Sequence, residues 1–216
     1  MSPGPSKRPY HHGDLRSELV RASLEVMKET GVTKFSVAQA ARAAGVSSAA
    51  PYRHFKDRLA LLAACATVAA SELVDRLEAA AEAAGSDPDD RFAATAGAYS
   101  RFVIENRVGL DLIYAEGLQD RQYRELHEQS RRLMELLIFL AVETSPCRSH
   151  AHALDLMEAQ FAVAHGYAVL QVEGGYSRSR LNTDDIEERS TAAAHKLLRG
   201  TTSETGLAVI PPKQRS

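Results

Sequence analysis

The stretch Phe35 to Phe55, FSVAQAARAAGVSSAAPYRHF, constrains this chain more than any other, because it reads as two short helices with a tight turn between them. Ser36 has the side chain of an N-cap, and Val37, Ala40, Ala41 and Ala44 then recur at helical spacing until Gly45. A glycine there supplies the left-handed conformation that closes such a helix. After Val46, either Ser47 or Ser48 is placed to cap a second helix, with Pro51, Tyr52 and Phe55 on its inner side. Pro51 then falls in the first turn, where its missing amide has no intrahelical partner to lose. The small Ala41 lets the two helices approach. This is the plan of a helix-turn-helix, whose second helix enters a DNA major groove, although the pattern alone also fits a helical hairpin buried in an ordinary core.

The rest of the chain agrees with an all-α fold. At 216 residues and 44% hydrophobic content it can bury a sizeable core, and no strand-like alternation persists anywhere. A first helix is expected from Asp14 to Thr30, with Leu15, Leu19, Ala22 and Val26 on one face. From Lys56 to Ala84 there is neither proline nor glycine, so one long helix capped by Asp57 is expected, with Leu59, Leu62, Ala66, Leu73 and Leu77 inward. Gly85 to Pro88 breaks it. Further helices are expected over 89–106, 108–116, 121–142, 149–172 and 183–198, making a second bundle. No run of about 18 apolar residues exists for a membrane span, and the N-terminus lacks a signal peptide's apolar stretch, which predicts a cytoplasmic protein. Cys65 and Cys147, far apart in sequence, are expected to be free thiols.

Charge divides the chain in two. Residues 1–58 hold ten Lys or Arg against five Asp or Glu, a net of +5, and residues 59–216 hold sixteen against twenty-three, a net of −7. A basic surface gains on a polyphosphate by counterion release, and an acidic one is repelled from it. The basic part is the part with the two short helices. In the opening arm Lys7, Arg8, Tyr10, His11 and His12 suit phosphates or a minor groove, and a silent tail fits the composition equally well.

GVSSAAPYRHFKDRLALL resembles the motif of the TetR family of bacterial transcriptional repressors, where a glycine-valine-serine turn leads to a tyrosine, a phenylalanine, a basic residue and a leucine pair. The match covers about Gly13 to Leu73, and YHHGDLR and AAPYRHF are similar to motifs of one TetR subgroup. AYSRFVIENRVGLDLIY and AVAHGYAVLQVEGG resemble segments of that subgroup's C-terminal domain, with Phe161 near the place of a tryptophan often found there. The resemblance implies a three-helix DNA-binding domain over 13–73, joined by the long helix to a ligand-binding and dimerisation bundle over 86–200. It implies DNA contacts from Thr33, Lys34, Ser36, Ser47, Ser48, Ala49, Tyr52, Arg53, His54 and Lys56, with Lys56 and Arg58 on the DNA side. The partners implied are a double-stranded operator, a small-molecule effector and a second copy of the chain, with no membrane.

Tyr99, Phe102, Tyr114, Phe161, His165 and Tyr167 put aromatic rings and polar tips on faces expected to point inward, as an effector pocket requires. A ligand there would tilt the long helix and change the spacing of two recognition helices. For the dimer, Leu154, Met157, Phe161, Ala164 and Ala168 are expected to meet Ile186, Ala193 and Leu197 in a four-helix interface. An enzyme is not expected. The chain has no GxSxG, HExxH, CxxC or phosphate-binding glycine loop, and no cofactor is indicated. The alternative is a helical enzyme or metal-binding protein built on Cys147, His150 and His152, which hold ligand spacing but lack a second ligand group.

Overall fold

The computed structural model describes residues 15–201, so the basic arm, Asp14 and the Pro211–Pro212 tail lie outside the described residues. Within that range every regular element is helical. In chain order these are α1 (Leu15–Thr30), α2 (Val37–Ala43), a 3₁₀ turn (Pro51–Arg53), α3 (Arg58–Ala83), α4 (Pro88–Asn106), α5 (Leu110–Ile113), α6 (Arg124–Glu143), α7 (His150–Val172), a second 3₁₀ turn (Ser177–Ser179) and α8 (Thr183–Thr201). No described helix is long and apolar enough to cross a membrane.

Local chemistry explains the boundaries. Ser36 and Gln39 form a reciprocal capping box: the Gln39 amide donates to Ser36 Oγ at 3.3 Å, and the Ser36 amide donates to Gln39 Oε1 at 2.8 Å. At the far end Val46 N–H donates to Ala41 O and Gly45 N–H to Arg42 O, a paired closure that places Gly45 at φ +69°. Asp57 caps α3 by accepting from the Ala60 amide at 2.8 Å. Asp87 caps α4, accepting from the amides of Asp89 and Asp90, with Pro88 at the first helical position.

The second helix of the helix-turn-helix is present as a short 3₁₀ piece and not as the expected α-helix capped by Ser47 or Ser48. Residues 47–55 form consecutive turns closed mainly by three-residue bonds, Ala50 N to Ser47 O, Arg53 N to Ala50 O and His54 N to Pro51 O, with Pro51–Arg53 as the one regular piece. Pro51 contributes no donor, Phe55 turns inward to be buried, and Asp57 starts the next helix, which leaves no length for α-helical propagation. Ser47 acts through its carbonyl and not as a side-chain cap. Pro51 and Phe55 are buried as expected, but Tyr52 points outward and is 57% exposed.

The 26 residues of α3, about 39 Å at 1.5 Å per residue, run through both parts of the molecule. Leu62, Ala66, Leu73 and Leu77 are buried along it, Leu59 is half-buried, and Cys65 faces α1, its thiol 3.8 Å from Val20 O. In α1 the buried face is Leu19, Val20, Ala22, Ser23 and Met27, slightly rotated from the expected stripe so that Leu15 and Val26 are half-buried. Helix α4 is the axis of the second bundle, packed against α3, α6, α7 and α8. Its approach to α8 is close: a Cβ on Gly97 would lie 2.9 Å from Glu187 O and nearer still to Thr191 Oγ1. Beside it Ser100 Oγ lies 3.0 Å from Ala164 O and 2.8 Å from Ser190 Oγ, and Ser190 donates to Ala96 O, so these small buried hydroxyls are satisfied where three helices meet. Arg101 reaches from α4 to Glu187 and Asp184 of α8, and Arg76 from α3 to Glu105 of α4 at 2.6 Å.

Candidate nucleic-acid interface

The turn after α2 and the 3₁₀ piece make a knuckle anchored by two buried side chains, Pro51 and Phe55, with its polar residues outside. Ser47, Ser48, Ala49, Tyr52, Arg53, His54 and Lys56 are all exposed, and so are Thr33 and Lys34 in the connector between α1 and α2. Ser36 is half-buried, and its hydroxyl is engaged by Gln39 in the cap. A tip of small residues beside hydroxyl, imidazole, guanidinium and ammonium donors has the chemistry of base-edge and phosphate contact.

Of the two cations expected on this side, Arg58 is turned inward and Lys56 stays exposed. Arg58 does not project from the knuckle: its guanidinium donates from Nε to Phe35 O and from Nη2 to Val32 O, both at 3.1 Å, and sits 5.8 Å from the Phe35 ring centre. It braces the connector, whose carbonyls lie more than twenty residues away in sequence, a relation that spacing does not reveal. Lys56 Nζ, exposed, donates to Gln122 Oε1 at 2.5 Å across to the loop before α6. Sequence reasoning also missed Arg16, which lies over the Phe55 ring at 5.3 Å. The signal was its place one helix turn from the basic arm, and nothing in the sequence gives its neighbour.

The six residues expected to line an effector pocket do not form one set. Tyr99, Phe161 and His165 come together: Tyr99 Oη lies 2.9 Å from His165 Nδ1, and the Tyr99 and Phe161 rings meet edge to face at 5.1 Å. Burial pushes the Tyr99 phenol well above its ordinary range, opposed in part by a hydrogen bond from the Leu110 backbone. Phe102 is buried under the Arg76 guanidinium at 5.5 Å, Tyr114 is 45% exposed, and Tyr167 stacks on Tyr176 at 6.2 Å on another face. Between α3, α4, α6 and α7 a cavity of only about 10 Å³ is lined by Leu77, Thr95, Tyr99, Leu137, Gln160 and Phe161 among others.

Gln160 gives that cavity a polar character. It is buried, and its amide group donates to Thr95 Oγ1 at 2.7 Å and Phe92 O at 3.1 Å, while Thr95 itself donates to Phe92 O. Exchanging the amide's O and N would set oxygen against oxygen, so the orientation is fixed by the network. Gln160 Oε1 is then left buried without a hydrogen-bond partner.

The apolar face expected to hold a second copy is also turned. Met157, Ala164, Ala168 and Ile186 are buried inside the monomer's own core, and Phe161 is half-buried against Tyr99. What α7 and α8 present outward is a shallow depression of about 500 Å³ lined by Val163, Gly166, Tyr167, Leu170, Tyr176 and Ala193 among others, with Leu170 46% exposed. Helix α7 is apolar around most of its circumference, which is why periodicity did not separate its two faces. Cys147, His150 and His152 stand at the start of α7, where His152 Nδ1 accepts from the Arg148 amide, and no three His, Cys, Asp or Glu among the described residues are grouped as metal ligands.

Two family models match the sequence: the one described as "Bacterial regulatory proteins, tetR family" over residues 19–65, and the one described as "Tetracyclin repressor-like, C-terminal domain" over residues 92–195. No curated protein matches the chain. Among solved structures, a protein of unknown function from Rhodococcus sp. RHA1 is 34% identical, covering 90% of this chain and 98% of its own, at a TM-score of 0.70. A TetR-like transcriptional regulator from Rhodococcus sp. RHA1 is 19% identical over 90% of this chain and 100% of its own, at 0.63. The transcriptional regulator FadR from Bacillus subtilis, solved in complex with stearoyl-CoA, is 13% identical over 85% of this chain and 98% of its own, also at 0.63. The last two likenesses are of fold.

Proposed function

Because the chain belongs to the TetR family, whose members are DNA-binding transcriptional regulators, we propose that it is a ligand-responsive repressor that binds a pseudo-palindromic operator as a homodimer. The observation that carries this reading is the exposed knuckle from Ser47 to Lys56, held by buried Pro51 and Phe55 on the basic part of the chain. Ser47, Ser48, Ala49 and Arg53 approach base edges or adjacent phosphates; Tyr52, His54 and Lys56, with Thr33, Lys34 and the Ser36 helix start, set the register on phosphates. Residues 13–73 act as the reading unit and residues 86–200 as the sensing and pairing unit, in the cytoplasm.

Pairing is assigned to the outward face of α7 and α8 around Leu170, Tyr167 and Tyr176, since an exposed apolar depression on two adjacent helices suits a self-complementary two-fold contact. The effector is assigned to the space beside Gln160, Tyr99 and His165. A buried acceptor without a partner costs roughly 1–3 kcal/mol, and a ligand hydroxyl or amide that satisfies it recovers that amount. A cavity of about 10 Å³ is water-sized, so the half-buried Phe161 must swing outward to admit anything larger. FadR, a fold neighbour holding stearoyl-CoA, supports a small-molecule reading in general terms.

Selection of bound duplexes from a random pool tests the DNA reading: two inverted half-sites about one helical turn apart are expected. Failure to enrich any sequence refutes it. For pairing, Leu170→Glu is expected to give folded monomer with weakened operator binding, and a wild-type chain sedimenting as monomer at micromolar concentration refutes the dimer. For the effector, a small-molecule thermal-shift screen is repeated with operator present. A compound that stabilises the free protein, loses affinity on DNA and loses its effect in Gln160→Leu is the expected outcome; no stabilising compound, or one indifferent to Gln160→Leu, removes the assignment.

A further inference from the structure

A cleft borders the DNA-facing knuckle between α1, the start of α3 and the start of α6, where the two parts of the chain meet. One end, about 490 Å³, is lined by Arg16, His54, Lys56, Gln122 and Arg124, and the other, about 400 Å³, by Val20, Leu24, Ala64 and Val68. The two ends adjoin, sharing Arg16, Ala64, Thr67 and Glu125 in their walls. Its chemistry is graded. Two guanidiniums, an ammonium and an imidazole gather at one end with the carboxylate of Glu125, and at the other Val20, Leu24, Ala64 and Val68, the last 45% exposed, form an apolar wall bordered by Ser17, Arg21 and the shared Arg16, Thr67 and Glu125. Neither Arg16 nor Arg124 has a carboxylate in ion-pair range among the described residues.

We propose that this cleft is a second ligand site, separate from the space beside Gln160, and that it takes an amphipathic organic anion such as a medium-chain carboxylate. The carboxylate lies between Arg16 of α1 and Arg124 of α6, within reach of Lys56, and the chain runs past Ala64 toward Val20, Leu24 and Val68. The volume is of the size that small-molecule sites have, whereas the bundle cavity is not. Occupancy has two consequences. The anion ties α1 to α6 through opposite charges, and it sets a negative charge beside His54 and Lys56, two of the groups assigned to phosphates. Ligand and DNA therefore oppose one another, each weakening the other by the same factor.

Calorimetric titration of the full chain without DNA tests the site, using decanoate below its micelle concentration, with decanol and acetate as head-less and tail-less probes. Decanoate is expected to bind, and decanol and acetate to bind at least about tenfold more weakly, because each lacks one half of the recognition. Arg16→Gln and Arg124→Gln, both at exposed positions, are each expected to raise the decanoate Kd about tenfold; Arg124→Gln leaves the melting temperature in place, and Arg16→Gln lowers it by a few degrees through loss of the stack on Phe55. Val68→Glu is expected to raise it as well, by opposing the tail. No decanoate binding, equal binding of decanol, or binding indifferent to Arg16→Gln and Arg124→Gln overturns the proposal. Decanoate binding lost in Gln160→Leu and kept in both arginine variants places it in the bundle and overturns it too. None of these outcomes bears on whether the chain selects an operator, which is read separately.

Discussion

Replacing Arg58 by alanine separates two roles that a basic residue beside a recognition knuckle can have. In the structure its guanidinium donates to Phe35 O and Val32 O, both at 3.1 Å, and lies over the Phe35 ring. A hydrogen bond from a charged group contributes about 1.5–3 kcal/mol. Arg58 is half-buried and the two carbonyls become accessible to water once it is gone, so the pair is discounted to about 2 kcal/mol. The stacked guanidinium adds roughly 0.5–1 kcal/mol. Arg58→Ala is therefore expected to destabilise the chain by about 2.5–3 kcal/mol, roughly a seventy- to hundred-and-sixty-fold change in the folding equilibrium. Urea unfolding followed by circular dichroism measures this. At a temperature where both proteins are folded, the dependence of log K on log salt for operator binding should keep its wild-type slope, because no phosphate contact has been removed. Lys56→Ala should do the reverse, leaving stability within about 0.5 kcal/mol and lowering the salt slope by about one per half-site. If Arg58→Ala unfolds like the wild type and lowers the slope, Arg58 is a phosphate contact and the brace does not hold.

Three other outcomes follow from particular contacts. Burial pushes the Cys65 thiol from 9.0 up to about 12, so its contribution to stability is fully present below pH 9 and is lost as pH rises toward 12; over that window the wild type should lose up to about 1.4 kcal/mol per pH unit more than Cys65→Ala does. In the folded chain iodoacetamide should label the half-buried Cys147 and leave Cys65 unmodified, and mass spectrometry reads the difference; equal labelling would contradict the burial. Gly97→Ala should lower stability by roughly 1–3 kcal/mol, because its methyl meets the Glu187 carbonyl and forces α4 from α8, and an unchanged unfolding midpoint would show that these helices are not in close approach.

What was legible in the sequence was local chemistry. Ser36, Gly45, Asp57 and the Gly85–Pro88 break act within four residues of their own positions, and each boundary they mark is where the chain turns. The second helix of the helix-turn-helix misled because caps and an apolar pattern do not report length. Between Ser47 and Asp57 there is room only for turns once Pro51 withholds a donor and Phe55 turns inward. Faces were legible where polar residues interrupt the apolar ones, as on α3, and illegible on α7. There Met157, Ala164 and Ala168 point in and Leu154 and Leu170 point out, with nothing in their chemistry to distinguish them. The effector set failed for a related reason. An aromatic ring is equally at home under a guanidinium, as Phe102 is, in a stack, as Tyr167 is, or at a cavity wall, as Tyr99 is. Long-range polar partners, Arg58 with the α1–α2 connector and Lys56 with Gln122, leave no trace in spacing.

Those long-range partners determine how a ligand in the bundle can reach DNA. The segment before α6 lies against the start of α3: a Cβ on Gly117, at φ +85°, would come within 3.1 Å of Leu59, Leu118 is fully buried, and Gln122 accepts from Lys56. Farther along, Arg132 of α6 pairs with Glu78 of α3 at 2.6 Å and with Asp75 at 3.1 Å. The segment leading into α6 therefore grips α3 near its knuckle end and α6 grips it again toward its far end, while Leu137 of the same helix lines the cavity beside Gln160. A ligand that moves Leu137 moves α6, and α6 with its leading segment carries both grips on α3. Such a ligand changes operator affinity only by the ratio of its own affinities for the two positions of α6. Gln122→Ala releases the grip nearest the DNA without touching the cavity. It should leave effector affinity for the free chain unchanged and shrink the factor by which effector and operator oppose each other; an undiminished factor would mean the coupling runs through the subunit interface instead.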